Sequence, residues 1–267
     1  MTALSDLSNL RGRRALITGG TGNLGRVFAD TLGELGADLL LVDLPGSELE
    51  DFATEVKERW SVNVSSYFCD LESQVQRTEL IKWVADSGVP LNILVNNAAF
   101  VGTSNLPGWS VPFEEQSLDT WRRAIEVNLT AVFELCQGLH SSMKDAEGAS
   151  IVNIGSIYGV LGPDWRLYEG TAMANPAAYA ASKGGLIQLT RWLATTVAPN
   201  VRVNSVVPGG IFRSQDASFV NRYEKRTPLN RMGQEGDFKG IIAFLASDLS
   251  AYVTGQAISV DGGWGIW

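Results

Sequence analysis

The segment Arg13-Arg14-Ala15-Leu16-Ile17-Thr18 runs directly into Gly19-Gly20-Thr21-Gly22-Asn23-Leu24-Gly25, after which Val27, Phe28, Leu32 and Leu35 recur at helical spacing until Gly36. A buried strand, a glycine turn and an amphipathic helix in that order leave few folds open. Glycines in such a turn let the backbone approach a pyrophosphate, and the following helix offers free N–H groups and a favourable dipole. A structural turn would use the same residues, but the strand before it and the helix after it favour phosphate binding.

The alternation continues. Asp38 to Val42 forms a second strand ending in Asp43, about twenty residues beyond the glycines, where a carboxylate accepts hydrogen bonds from an adenosine ribose and repels a 2′-phosphate. No Arg or Lys directly follows Asp43, so NAD is expected and NADP is less favoured. Ser47 to Trp60 reads as an amphipathic helix, and Val62 to Cys69 as a third strand closed by Asp70-Leu71, with Asp70 suited to the adenine amino group. A helix through Val75, Leu80, Ile81 and Val84 leads to a fourth strand, Leu91 to Val95, followed by Asn96-Asn97-Ala98-Ala99. Such repetition predicts an α/β fold, a doubly wound parallel sheet with helices on both faces. The 267 residues could hold two domains, yet no linker, repeat or low-complexity stretch divides them, so one domain over 1–267 is expected.

In the second half, Ser150 to Gly155 is an apolar run that reads as a buried strand, and it places Ser156 at a carboxyl end, where open parallel sheets bind ligands. If 177–198 is one helix, Tyr179 and Lys183 stand one turn apart on the same face. A fixed cation near a phenol stabilises the phenolate and lowers its pKa, although such a pair alone is also compatible with ordinary packing. Trp121, Ile125, Leu129, Val132, Phe133 and Leu139 mark a long helix with Asn128 inside it. Val201 to Val207 and Gly255 to Val260 read as further strands, Gly240 to Ser247 as a short helix and Gln215 to Gly236 as a mobile-looking segment able to close over substrate.

Composition narrows the class of function. A formal net charge of −8 argues against a surface that tracks nucleic acid. No run approaches about 18 uninterrupted apolar residues, so no membrane span is expected. Cys69 and Cys136 read as buried free thiols, which fits a cytoplasmic location. The single histidine, His140, falls near a helix end and reads as a surface residue, leaving little prospect of a Ser-His-Asp triad or a metal site.

Taken together, the glycine turn, Asp43, Asp70, Asn96-Asn97-Ala98, Asn128, Gly155-Ser156-Ile157, Tyr179 with Lys183, Pro208-Gly209 and Val260-Asp261-Gly262-Gly263 resemble the single-domain short-chain dehydrogenase/reductases from about Arg13 to Gly263. The resemblance implies a Rossmann-type sheet of about seven strands and a homo-oligomer, tetramer or dimer. It implies a small-molecule substrate and four catalytic residues. Tyr179 would exchange a proton with the substrate oxygen, Lys183 would lower the pKa of Tyr179 and hold the nicotinamide ribose, Ser156 would hydrogen-bond the carbonyl, and Asn128 would hold a water linking Lys183 to solvent. Cofactor contacts are implied at Gly19, Thr21, Gly22, Asn23, Leu24, Gly25, Asp43, Asp70, Leu71, Asn97, Ala98, Tyr179, Lys183, Pro208, Gly209 and Ile211.

Three positions depart from the family pattern. Asn23 replaces the middle glycine, which leaves the turn's geometry open, and Ala99 replaces a common glycine. After Pro208-Gly209 the chain reads Gly210-Ile211-Phe212-Arg213-Ser214, where Arg213 could meet the cofactor pyrophosphate, an anionic substrate or only solvent. The connection from Ser156 to Tyr179 is longer than is common in the family. Substrate loops are therefore expected at about 100–116, 159–175 and 210–236, with Trp165, Arg166 and Tyr168 walling a pocket for a carbohydrate-like substrate; a loop that only packs is the alternative. Tyr168-Glu169-Gly170-Thr171, Asn175 to Tyr179 and Gly209-Gly210-Ile211 also resemble oxidoreductases of flagellin-modification and nonulosonate pathways. A 3-oxoacyl thioester reductase and a non-catalytic NAD(H)-binding regulator remain as alternatives. Trp264 and Trp267 close the chain, with burial on a partner or over a pocket expected.

Overall fold

A computed structural model describes residues 2–101 and 106–267. Its centre is a sheet of seven parallel strands in the order β3-β2-β1-β4-β5-β6-β7. These are β1 (Arg14–Thr18), β2 (Asp38–Asp43), β3 (Val64–Phe68), β4 (Ile93–Asn96), β5 (Ser150–Ile154), β6 (Arg202–Pro208) and β7 (Ala257–Val260). Because side chains alternate along a strand, each central strand feeds two cores. Leu16, Leu40, Leu94, Ile151 and Val203 enter one, beneath α4 (Gln74–Asp86), α6 (Ala131–Met143) and α7 (Ala177–Thr196). Ile17, Leu41, Val95, Val152 and Val206 enter the other, beneath α2 (Asn23–Glu34), α3 (Leu49–Trp60) and α9 (Lys239–Ala246). The expected two-faced parallel sheet is what forms.

After β3 the chain crosses back to lay β4 against the free side of β1, and this reversal opens a crevice at the carboxyl ends of the strands. Short polar caps fix the helices near it. Ser73 accepts from the Gln76 N–H at the start of α4, and Ser117 accepts from Thr120 at the start of α5 (Leu118–Ile125). A one-turn helix, α1 (Leu4–Ser8), precedes the sheet.

Three expectations need correction. The long helix around Asn128 is not continuous: a π turn, Glu126–Thr130, separates α5 from α6. The supposed mobile segment 215–236 carries α8 (Ala217–Arg226), capped by Asp216 and fixed by buried Phe219 and Tyr223. Trp264 is buried within its own chain, stacked on Tyr223 at 5.6 Å with Arg226 on its ring, whereas Trp267 is exposed. No helix among the described residues is long and apolar enough to cross a membrane.

Candidate active site

The crevice is a cleft of about 870 Å³. One end is built from backbone. Gly19 turns at φ +65°, and a Cβ there would lie 2.9 Å from the Ala98 Cα; a Cβ on Gly25 would lie 1.9 Å from the Gly19 carbonyl oxygen. Neither position has room for a side chain. Gly22 precedes α2 in an extended conformation, and Asn23 simply opens the helix, so the position where the family pattern has a glycine makes no demand for a left-handed residue. Asn97 ties the turn to β4 through hydrogen bonds from Nδ2 to the Thr18 and Gly19 carbonyls, both 3.0 Å.

Asp43 ends β2 at the lip of the same cleft. Its Oδ2 accepts from the Thr21 N–H (2.8 Å) and hydroxyl (2.6 Å), and its Oδ1 accepts from the Leu44 N–H. The nearby cation Arg26 is spent on the Thr21 carbonyl, on Glu48 and on the face of Phe52. Asp70, Leu71, Ala98, Pro208, Gly209 and Ile211 line the cleft with them, as do Thr21, Asn23 and Leu24. A carboxylate at the second strand end, a side-chain-free turn and an open helix N-terminus together fit a dinucleotide.

The other end is built from side chains. Ser156, buried just past β5, accepts the Tyr158 N–H on its Oγ, which leaves its own proton to donate into the cleft. Tyr179 and Lys183 project from the first turns of α7, the Lys183 Nζ lying 5.8 Å from the centre of the phenol ring. Lys183 is buried and donates to the Ile154 carbonyl at 2.7 Å. Burial pulls its pKa down to about 8. The Tyr179 phenol moves the opposite way, raised by burial although the Ser156 hydroxyl and the Arg213 charge draw it down. Desolvation is the leading influence on both groups, and the charge that opposes it at Tyr179 is that of Arg213 and not the expected Lys183.

Asn128 sits in the π turn, fully buried. Its Oδ1 accepts from the Phe100 N–H at 2.6 Å, and its two amide protons go to the Phe100 carbonyl and the Ser182 hydroxyl. Ser182 in turn donates to the Tyr179 carbonyl at 2.9 Å. The amide therefore staples the chain after β4 to the first turns of α7. Wider turns of this type occur often at functional sites.

The three loop expectations divide. Phe100, Val101 and Leu106 line the cleft, and Trp109 folds beneath Phe100 with its indole donating to the Val101 carbonyl; of the expected loop 100–116, residues 102–105 lie outside the described residues. Ile211 and Arg213 bring the 210–236 stretch to the cleft. Trp165, Arg166 and Tyr168 do not line it, contrary to expectation. Tyr168 instead packs on Phe219 of α8 and shares a hydroxyl contact with Tyr158, Arg166 pairs with Asp164 at the surface, and Trp165 is exposed. Arg222 fastens the loop by donating to the Leu167 and Glu169 carbonyls. Tyr168 buries its ring against Phe219 of a fixed helix, and that packing draws the loop away from the cleft.

Sequence reasoning missed one cleft residue, Arg123, and one buried residue behind the cleft, Arg77. Arg123 is held by both oxygens of Glu72 and lies over the Phe100 ring at 4.8 Å. Buried Arg77 joins the Leu71 carbonyl to Glu134 and Glu126, tying the strand-three corner to the π turn. Both look like ordinary helix-surface charges in the sequence. Cys69 and Cys136 are free and buried, and no cluster of metal-ligating residues occurs among the described residues.

Comparison with known proteins agrees with this geometry. A family model described as enoyl-(acyl carrier protein) reductase matches residues 20–265. A tropinone reductase homolog of Arabidopsis thaliana is 35% identical over 263 residues, 96% of this chain and 93% of the relative. A 3-oxoacyl-(acyl-carrier-protein) reductase of Aquifex aeolicus is 30% identical over 259 residues, 95% of this chain and 98% of the relative. Among solved structures, a putative NAD(P)-dependent gluconate 5-dehydrogenase of Beutenbergia cavernae with bound NADP superposes with a TM-score of 0.86 at 30% identity, covering 98% of this chain and 100% of that one.

Proposed function

The chain belongs to the short-chain dehydrogenase/reductase family, and on that premise we propose an NAD(H)-dependent oxidoreductase that interconverts a secondary alcohol and a ketone on a carbohydrate or sugar-derived substrate. The observation that carries the reading is the convergence of Ser156, Tyr179 and Lys183 in the cleft whose far end is the glycine turn and Asp43. When bound, the nicotinamide supplies or accepts the hydride.

The protein's own groups handle the substrate oxygen. Ser156 donates its free hydroxyl proton to that oxygen, stabilising the negative charge that develops during reduction. Tyr179, held neutral by burial, is the proton donor in reduction and must receive the proton in oxidation. Lys183 and Arg213 supply the positive field that makes the phenolate accessible in that second direction, and Asn128 fixes Tyr179 through Ser182. NAD is the proposed form because Asp43 presents fixed negative charge where a 2′-phosphate would lie, with Arg26 already occupied.

Loop 159–175 contributes no residue to the lining of the cleft, so the carbohydrate assignment is read from other features. It is supported by the likeness to the gluconate dehydrogenase and by the polar reacting end of the cleft. Likeness to the 3-oxoacyl carrier-protein reductase supports a second reading, a 3-oxoacyl thioester substrate. The buried free thiols support a cytoplasmic setting, and exposed Phe133 and Trp192 on α6 and α7 support a homo-oligomer.

NADH oxidation measured on keto sugars, sugar nucleotides and acyl thioesters tests the whole assignment. Turnover of a keto sugar is expected, with NADH preferred to NADPH. Tyr179→Phe should lower kcat by roughly 10³-fold and leave the NADH dissociation constant unchanged. Tight NADH binding without turnover of any ketone would point to a regulatory protein, and preference for NADPH would overturn the cofactor assignment.

A further inference from the structure

The loop after β6 presents one basic side chain to the reacting end of the cleft, and its backbone is clamped on both sides. Gln215 receives the Arg213 N–H on Oε1 at 2.7 Å and returns a hydrogen bond from Nε2 to the Ile211 carbonyl, also 2.7 Å. Ser214 turns the chain at φ +56°, and Phe212 and Gly233 lock the base of the loop by hydrogen bonds to Gly233 and Gly210. The backbone of Arg213 is thereby fixed at the cleft, which the residue lines with a side chain that remains 41% exposed.

Its charge is weakly committed. The other two cations lining the cleft are spent, Lys183 on the Ile154 carbonyl and Arg123 on both oxygens of Glu72. Arg213 has one ionic contact among the described residues, Nε to Glu235 at 3.4 Å, too long for a strong charge-assisted bond. Both Nη groups face no protein acceptor among the described residues. A guanidinium in that condition offers a planar fork suited to carboxylate or phosphate. On a chain of net charge −8, an anion gains little from the overall field and needs such a local partner.

We infer that the substrate carries an anionic group, carboxylate or phosphate, and that Arg213 is the residue that selects it. The inference rests on the proposed oxidoreductase activity of this cleft and adds the substrate's charge to it. The same guanidinium opposes the burial that raises the Tyr179 phenol, so one side chain serves recognition and the reacting group together. The dinucleotide pyrophosphate is the competing anion, and the two sources separate experimentally.

The test compares D-gluconate with D-glucitol, which share their hydroxylated chain and differ by a carboxylate at one terminus, using NAD⁺ reduction as readout and NADH titration alongside. Wild-type protein is expected to favour the acid. In Arg213→Gln the ratio of kcat/KM between acid and polyol should fall roughly 10- to 100-fold, chiefly through KM, with NADH affinity preserved. Glu235→Gln should move the acid KM downward by a few-fold, since it removes the competing carboxylate. Equal losses on both substrates, a weakened NADH complex in Arg213→Gln, or a wild-type enzyme indifferent to the carboxylate would overturn the inference while leaving the oxidoreductase reading standing. Failure of the wild-type protein to turn over any alcohol or ketone would overturn both.

Discussion

The two ends of the cleft are made of different material. At the dinucleotide end the working surface is main chain, shaped by the absence of side chains at Gly19 and Gly25 and pinned by Asn97. At the reacting end it is side chains, Ser156, Tyr179 and Lys183, and burial shifts the ionisation of the last two. The glycine turn of the first end is governed by volume, with charge entering only at its lip through Asp43; the second end is governed by charge. Asn23 illustrates the first rule, because a side chain is accepted where the helix has already begun.

The sharpest way to break this contrast is Gly25→Ala. The added methyl would sit 1.9 Å from a backbone oxygen that has no flexible side chain to yield, whereas at Gly22 the nearest atom is 3.3 Å away. Gly25→Ala should weaken NADH binding by about 100-fold or more and cost about 3 kcal/mol of stability, with Gly22→Ala far milder, as read by fluorescence titration and thermal melts. Equal effects at the two glycines would contradict a backbone-made end.

Lys183→Met tests the other end through protons. In the folded protein without dinucleotide, Lys183 releases its proton near pH 8 instead of 10.5, so burying its charge penalises the native state fully below pH 8 and not at all above 10.5. Stability of the wild type relative to Lys183→Met should therefore climb by roughly 3 kcal/mol as pH rises through that window. Urea unfolding of both proteins from pH 7 to 11 measures it, and a constant difference would mean that the ammonium is well solvated. The smallest effect is expected outside the cleft: Arg166→Ala should change kcat/KM by less than about two-fold on any substrate. A large loss there would bring loop 159–175 back to the substrate.

The strands and the strand-end residues were legible because burial on both sheet faces writes continuous apolar runs, and because a ligand crevice at strand ends makes Asp43, Asp70 and Ser156 conspicuous. The pairing of Tyr179 with Lys183 needed only helical spacing. What escaped depended on tertiary docking. The polar-aromatic run around Trp165 to Tyr168 is equally suited to a pocket wall and to packing, and the choice was made by Phe219 on a helix that a polar segment concealed, although Asp216 followed by Phe219 and Tyr223 carries a cap and an apolar stripe that could have announced it. The π turn has no local signature, since Glu126 to Thr130 would serve equally well in a regular helix; only Phe100, arriving from another strand end, gives Asn128 its place.

That widened turn also limits how this enzyme's descendants can vary. Each residue advances a helix by about 100°, so deleting one position there would restore even coiling while swinging everything before it around the axis relative to everything after it. Either Arg123 would lose Glu72 or the amide would lose Ser182, because one insertion-sized irregularity keeps both in reach. Loss of a single amino acid at this spot is thus far harder to tolerate than exchange of one for another, and variation in length is expected to collect in the outlying connections instead.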